Sequence, residues 1–226
     1  MTRDVKIALY GDVNLNVIDG SSVWLQSLAM ALAHLPRVAV TVVLKAGEQR
    51  DLLTAPLRRL PGVRVVNPVD AGTFSGPELT RNQALDALES LDEQERFDAF
   101  IVRGLGLCHT AAVRKRPTFT GRMWPYLTDF PQRPEELTPE ALGQLDTIAA
   151  ASRYVLCQTE AMRVYLEAYV PAAADKAVLL EPMIPDEVPA VMMPGCPSTF
   201  GKTGPSFLRD SIVVSGRGCS SASTVT

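Results

Sequence analysis

Short, continuously apolar, β-branched runs alternate with helical stretches through most of this chain, and that alternation constrains the fold more than any other feature. Residues 5–10 (V-K-I-A-L-Y), 38–44, 63–66 and 99–102 each have strand length and a mainly apolar, non-alternating character. A strand that is apolar at every position is buried on both faces, which suits parallel strands joined by covering helices better than an antiparallel sheet wetted on one side. The expected fold is α/β, a Rossmann-like parallel sheet with helices on both faces.

The intervening segments carry helix signals. Leu25, Leu28, Ala29 and Leu32 recur at helical spacing, Ser21 or Ser22 is placed to cap the start, and Pro36 stops the continuation. Residues 51–60 read as a helix through Leu52, Leu53, Leu57 and Leu60, and a further helix runs from Pro77 through Leu79, Leu85, Leu88 and Leu91. It ends in the charged run 92–96, read as a solvated terminus. A helix is expected over about 111–114 and strands over 122–127, 154–157 and 178–180. Thr138-Pro139-Glu140 places a hydroxyl cap, a proline and a carboxylate in the order a helix start favours. Thr159-Glu160 opens a helix whose apolar face is Ala161, Tyr165, Leu166 and Tyr169.

After Pro182 the composition changes, with prolines at 182, 185, 189 and 194 and then a Gly/Ser/Thr-rich stretch without periodicity. The expected organisation is one Rossmann-like domain over residues 1–187 and a disordered or aberrant tail over 188–226. A frameshift or truncation of a longer gene is one account of that tail, and a functional flexible tail is the other.

Several function classes lose support. A net charge of -3 with 21 % charged residues offers no basic surface for nucleic acid. The opening M-T-R-D-V-K has no signal-peptide pattern, and charges such as Arg103 interrupt each apolar stretch before it reaches membrane-spanning length. A cytoplasmic site is expected, with peripheral membrane contact left open. Cys108, Cys157, Cys196 and Cys219 show neither C-x-x-C spacing nor companion histidines, so no metal site is expected. Cys108 and Cys157 read as small buried hydrophobes, His34 as the surface cap of a helix, and His109 as a packed or solvent-facing ring.

Ligands of open parallel sheets bind where loops and helix N-termini converge at the carboxyl ends of strands. Four segments qualify. In residues 11–22, Gly11 and Gly20 permit close backbone approach, the N–H groups opening the next helix at Ser21 and Ser22 suit a diphosphate, and Asp12, Asn14, Asn16 and Asp19 either line the cleft or hold the turn. This loop is neither G-x-G-x-x-G nor a Walker-type phosphate loop, which removes the main support for NAD or ATP. Arg103 follows a strand and precedes Gly104 and Gly106, offering a cation to an anion or forming a surface ion pair. Tyr126, Thr128 and Asp129 combine aromatic and polar groups as a carbohydrate or polar acceptor pocket does, while Thr159 and Glu160 either cap their helix or face the cleft. No catalytic residue is assigned.

The runs K-I-A-L-Y-G-D-V-N-L-N-V-I-D-G-S-S-V-W-L-Q-S-L-A, W-P-Y-L-T-D-F-P, S-R-Y-V-L-C-Q-T-E and L-L-E-P-M-I-P-D together resemble the N-terminal domain of glycosyltransferase family 4-like enzymes over residues 6–186. The resemblance implies a GT-B architecture of two facing Rossmann-like domains, with Gly20, Ser21 and Ser22 beside the donor diphosphate. It also implies hexose transfer from a nucleotide-sugar co-substrate to an acceptor hydroxyl with retained configuration, without a metal or other cofactor. The family's glycine pair is Gly20-Ser21-Ser22 here, its cleft histidine after the fourth strand has no equivalent near Arg103, and its glutamate pair separated by seven residues has no counterpart. The expectation is therefore an acceptor-side domain with little activity alone. The alternatives are a non-catalytic binding or regulatory domain pairing with a separate donor-binding chain, and an unrelated Rossmann-type enzyme. Self-association through an uncovered cleft face is also expected.

Overall fold

The computed structural model describes residues 4–128 and 134–183. Asp129 and residues 184–226, with the expected tail and its two cysteines, lie outside the described residues.

Seven strands, β1 (Val5–Gly11), β2 (Val38–Val43), β3 (Val63–Val66), β4 (Ala99–Arg103), β5 (Met123–Tyr126), β6 (Val155–Cys157) and β7 (Ala177–Leu179), form one sheet in the order β3-β2-β1-β4-β5-β6-β7. Every pairing is parallel. The helices are α1 (Gly20–Ala33), α2 (Thr54–Arg58), α3 (Arg81–Glu95), α4 (Leu105–Arg114), α5 (Pro139–Ala151) and α6 (Glu160–Tyr169). This is the α/β, Rossmann-like arrangement the alternation predicts.

Alternate residues of the central strands enter different cores. Ile7, Leu9 and Ile101 pack with Leu25, Leu28 and Leu57 beneath α1 and α2. Ala8, Tyr10, Phe100 and Val102 pack with Leu85, Leu88 and Cys108 beneath α3 and α4. A third cluster joins Val155 and Cys157 to Leu145, Met162 and Leu166 beneath α5 and α6. A strand covered on both faces is apolar on both, and Ala8, Leu9, Phe100 and Val102 are wholly buried, while the buried Thr41 of β2 is satisfied by Glu95.

Four expectations change. The 51–60 helix shrinks to Thr54–Arg58, where Pro56 removes one backbone donor and the chain turns sharply into β3. The helix expected near 111–114 begins six residues earlier, at Leu105. On α6, Met162 takes the buried position expected of Ala161, and Tyr169 is half exposed at 51 %. The charged run closing α3 is not simply solvated. Asp92 is buried, accepts from the Phe97 amide at 2.9 Å, and pairs with Arg122 at 2.8 Å. Glu95 pairs with Arg64. Both arginines lie about thirty residues away along the chain, on strands β3 and just before β5, so the local sequence carries no sign of them.

Among the described residues no helix is long and apolar enough to cross a membrane.

Candidate functional site

The strand order reverses between β1 and β4, so the chain leaves β1 toward one face and β4 toward the other, opening a crevice at their carboxyl ends. Gly11 is in register with Arg103, and the Asp12 amide continues the ladder to the Arg103 carbonyl at 3.3 Å. The loop after β1 and the start of α4 therefore face each other.

Loop 12–19 is a tied structure. Asp12 accepts an ion pair from Lys45 at 3.0 Å, and Lys45 also reaches Glu78 at 3.5 Å. Asn14 donates to Glu78 at 2.8 Å. Asn16 donates to the Gly47 carbonyl and accepts from the amides of Gln49 and Arg50, which pins this loop to the segment after β2. Asn14 and Asn16 thus hold the turn, one of the two roles their sequence allows. Gly11 is buried because α1 lies against it: a Cβ there would sit 3.2 Å from both Leu25 and Val13.

The start of α1 differs from expectation. The cap is Asp19, not Ser21 or Ser22, and one carboxylate oxygen accepts from the Ser21 amide at 2.9 Å and the Ser22 amide at 2.8 Å. Ser22, fully buried, returns its hydroxyl to the Asp19 amide at 2.9 Å, closing a capping box. The N–H groups expected to be open to a diphosphate already serve a carboxylate. Gly20 stays exposed with open space around it.

On the α1 side, Trp24 stacks on Tyr126 with ring centroids 4.4 Å apart, and the Arg103 guanidinium lies 6.0 Å from the Trp24 centroid. Burial pushes the Tyr126 hydroxyl up to about 12, opposed in part by the positive charge of Arg103. The indole nitrogen of Trp24 lies close enough to favour the phenolate slightly, yet the stacked rings leave it without a hydrogen-bond partner among the described residues. Thr128 is half-buried just beyond β5. The structure so brings Asp12, Arg103, Tyr126 and Thr128 to the carboxyl ends of three adjacent strands.

Thr159 and Glu160 stand apart, since β6 is two strand spacings, roughly 10 Å, from β4. Thr159 caps α6 by accepting from the Met162 amide at 3.2 Å, and Glu160 pairs with Arg163 at 2.6 Å, which lowers its carboxyl below the ordinary value. Nearby, burial drives the Cys157 thiol up to about 12. His34 closes α1, its ring nitrogen 2.7 Å from the Met30 carbonyl, and His109 sits half-buried within α4.

Lys45, Glu78 and Trp24 belong to this crevice and were not singled out from the sequence. Lys45 carried a usable signal, being the first charged residue at the carboxyl end of a buried strand. Trp24 carries no local signal that sets it apart from the other apolar residues of α1. Among the described residues no group of three or more His, Cys, Asp or Glu side chains is placed to hold a metal.

No protein-family model matches the chain, and neither does any of the curated proteins compared with it. Solved structures do resemble it. Phytolacca americana UGT2, in complex with UDP-2-fluoro-glucose and pterostilbene, is 16 % identical with a TM-score of 0.49 over 81 % of this chain and 55 % of its own. A Listeria monocytogenes protein assigned as a UDP-N-acetylglucosamine 2-epimerase is 12 % identical, with a TM-score of 0.49 over 78 % and 45 %. A Polygonum tinctorium UDP-glucosyltransferase is 10 % identical, with a TM-score of 0.46 over 88 % and 56 %. The chain spans about half the length of these structures. Similarity at this level says nothing of what the chain does.

Proposed function

We propose that the described residues form the acceptor-side lobe of a nucleotide-sugar-dependent glycosyltransferase of the family 4-like, GT-B kind. In this reading it transfers a hexose to an acceptor hydroxyl with retention, without a bound metal, and only together with a second, donor-binding lobe. The observation that carries the reading is the crevice between β1 and β4, where the Arg103 guanidinium lies beside a buried aromatic pair. Trp24 stacked on Tyr126 is buried and forms a rigid floor beneath Arg103, and Arg103 supplies positive charge where a diphosphate leaving group develops negative charge. This support joins the sequence resemblance over residues 6–186.

Low activity of this lobe alone is part of the reading, and the start of α1 supports it. Asp19 occupies the α1 amides, so a diphosphate meets few open donors on this side and depends on groups from the opposing lobe.

Saturation-transfer NMR with UDP-, GDP- and ADP-hexoses, alongside a transfer assay on the purified chain, tests the reading. Weak binding of one nucleotide-sugar, weakened by Arg103→Ala, without turnover, is the expected result. Absence of binding at millimolar ligand, or binding that Arg103→Ala leaves unchanged, overturns the assignment, and robust turnover by the chain alone overturns the dependence on a second lobe.

A further inference from the structure

Helix α1 has no charged residue along its 14 positions, and among the described residues every other α-helix has at least one. Its core side is Leu25, Leu28, Ala29 and Leu32, all buried. The opposite side, at spacings of three and four, is Val23, Ser27, Met30 and Ala31. Ser27 donates its hydroxyl to the Val23 carbonyl at 2.7 Å, so this side makes no polar demand on a neighbour. A helix without a polar face is normally covered all round, yet Val23, Met30 and Ala31 are only half-buried.

The sheet beside α1 is open on the same face. Helices α5 and α6 cover β6 on one face, through Val155 and Cys157. On the other face α1 reaches as far as β5, where Trp24 stacks on Tyr126, and among the described residues no helix lies beyond it. That face presents Trp124, Val178, Leu180 and Met183, all half-buried, and Tyr154 stands edge-on to Trp124 at 5.1 Å. Parallel strands are stable when both faces are covered. The open stretch from β5 to β7 spans two strand spacings, roughly 10 Å, which is about the width of one helix.

An apolar ridge beside an apolar trough of the same width is complementary to itself. We propose that α1 and this trough form the interface of a homodimer whose two-fold axis runs along the strands. That axis lays α1 of each copy in the trough of the other, with the two helices side by side and parallel. Ser27 and Ala31, three and seven residues from Trp24, lie on the trough side of α1 and meet their own counterparts. Val23 and Met30 face the partner's Trp124 and Val178.

Two observations favour a second copy as the occupant. A two-fold axis sets side chains against their own kind, where any charge repels itself, and α1 carries none. Arg153, exposed just before β6 with its guanidinium 5.6 Å from the Tyr154 centroid, comes to the carbonyl end of the partner's α1, and α1 has no basic residue in its own last turn. Two helices about 21 Å long and two troughs bury on the order of 1,200 Å², the lower end of specific interfaces, so the association is micromolar. The contact runs along the flank of the sheet rather than across its carboxyl ends, and it stands without the glycosyltransferase reading.

The test is sedimentation velocity of the full chain from about 1 to 200 µM, with circular dichroism melts of each variant. A concentration-dependent monomer–dimer equilibrium is expected. Ala31→Glu and Ala31→Lys each set like charges together across the axis and should each weaken the dimer by about tenfold or more, while an equal mixture of the two should restore it. Met30→Glu, which puts a charge against the partner's trough, should also dissociate it, and Val113→Glu, at a site 55 % exposed on α4 of the other face, should change nothing. A wild type that is monomeric throughout overturns the proposal, whether the trough then stays open or is filled by a different partner. A dimer that Ala31→Glu and Met30→Glu leave intact, a mixture no tighter than either variant alone, or an equal loss in Val113→Glu also overturns it.

Discussion

Asp19 sets stability against ligand affinity, and replacing it should move the two in opposite directions. Its carboxylate accepts two backbone bonds, from Ser21 at 2.9 Å and Ser22 at 2.8 Å. Loss of an aspartate cap costs about 1 kcal/mol, and loss of a negative charge at the helix start about 0.5 kcal/mol more. Asp19→Ala should therefore lower stability by about 1.5 kcal/mol, or about 4 °C in Tm for a domain of this size. Asp19→Ser keeps a hydroxyl acceptor and should lose only about 0.5 kcal/mol. Both variants remove a carboxylate from the place a diphosphate would occupy, so nucleoside diphosphate affinity should rise, by about tenfold for a charge repulsion of some 1.4 kcal/mol. Urea melts followed by circular dichroism measure the first effect, and calorimetric titration with UDP the second. Equal stability of the wild type and Asp19→Ala would refute the capping account, and unchanged or weaker UDP binding in both variants would refute the competition.

Three further outcomes follow from the geometry. Asp92, 12 % exposed, accepts from the buried Phe97 amide and pairs with Arg122, 31 % exposed; Asp92→Ala strands both and should cost about 3 kcal/mol in chemical denaturation, against about 1 for Asp92→Asn, which still accepts from the amide. Gly104 has φ +114 and a Cβ there would meet Asp12 at 3.3 Å, so Gly104→Ala should cost about 1–3 kcal/mol in the same assay and displace the start of α4. Cys157 is held up at about 12 against an ordinary value of 9.0. Above pH 9 the unfolded thiol ionises while the folded one keeps its proton, so the unfolded state binds fewer protons and stability falls between pH 9 and about 12. Peptide mapping after alkylation of the native chain at pH 8 should find Cys157 unlabelled, and its labelling at the unfolded rate would contradict the burial.

Much of the scaffold was written in local patterns. The apolar runs at 5–10, 38–44, 63–66 and 99–102 became β1 to β4 with shifts of a residue or less at their ends, because a strand covered on both faces needs no information from elsewhere to look different from a loop. Thr138-Pro139-Glu140 became the start of α5 for an equally local reason, since a helix cap is satisfied within one turn. The buried state of Cys108 and Cys157 was legible from residue type.

Tertiary structure decided the rest. Gly104 and Gly106 look like loop residues, yet the chain uses positive φ at one and a bare Cα at the other to turn from β4 straight into α4 beneath Arg81. The loop after β1 could read as open to a ligand or folded on itself, and only its neighbours Lys45, Gly47 and Glu78 chose the second for Asp12, Asn14 and Asn16. Asp92 found Arg122, and Trp24 found Tyr126 and Arg103, across separations that no window of sequence spans. Periodicity and capping act over a few residues and can be read along the chain, whereas charge pairing, ring stacking and the packing of a cation on a glycine depend on which strands the sheet sets side by side.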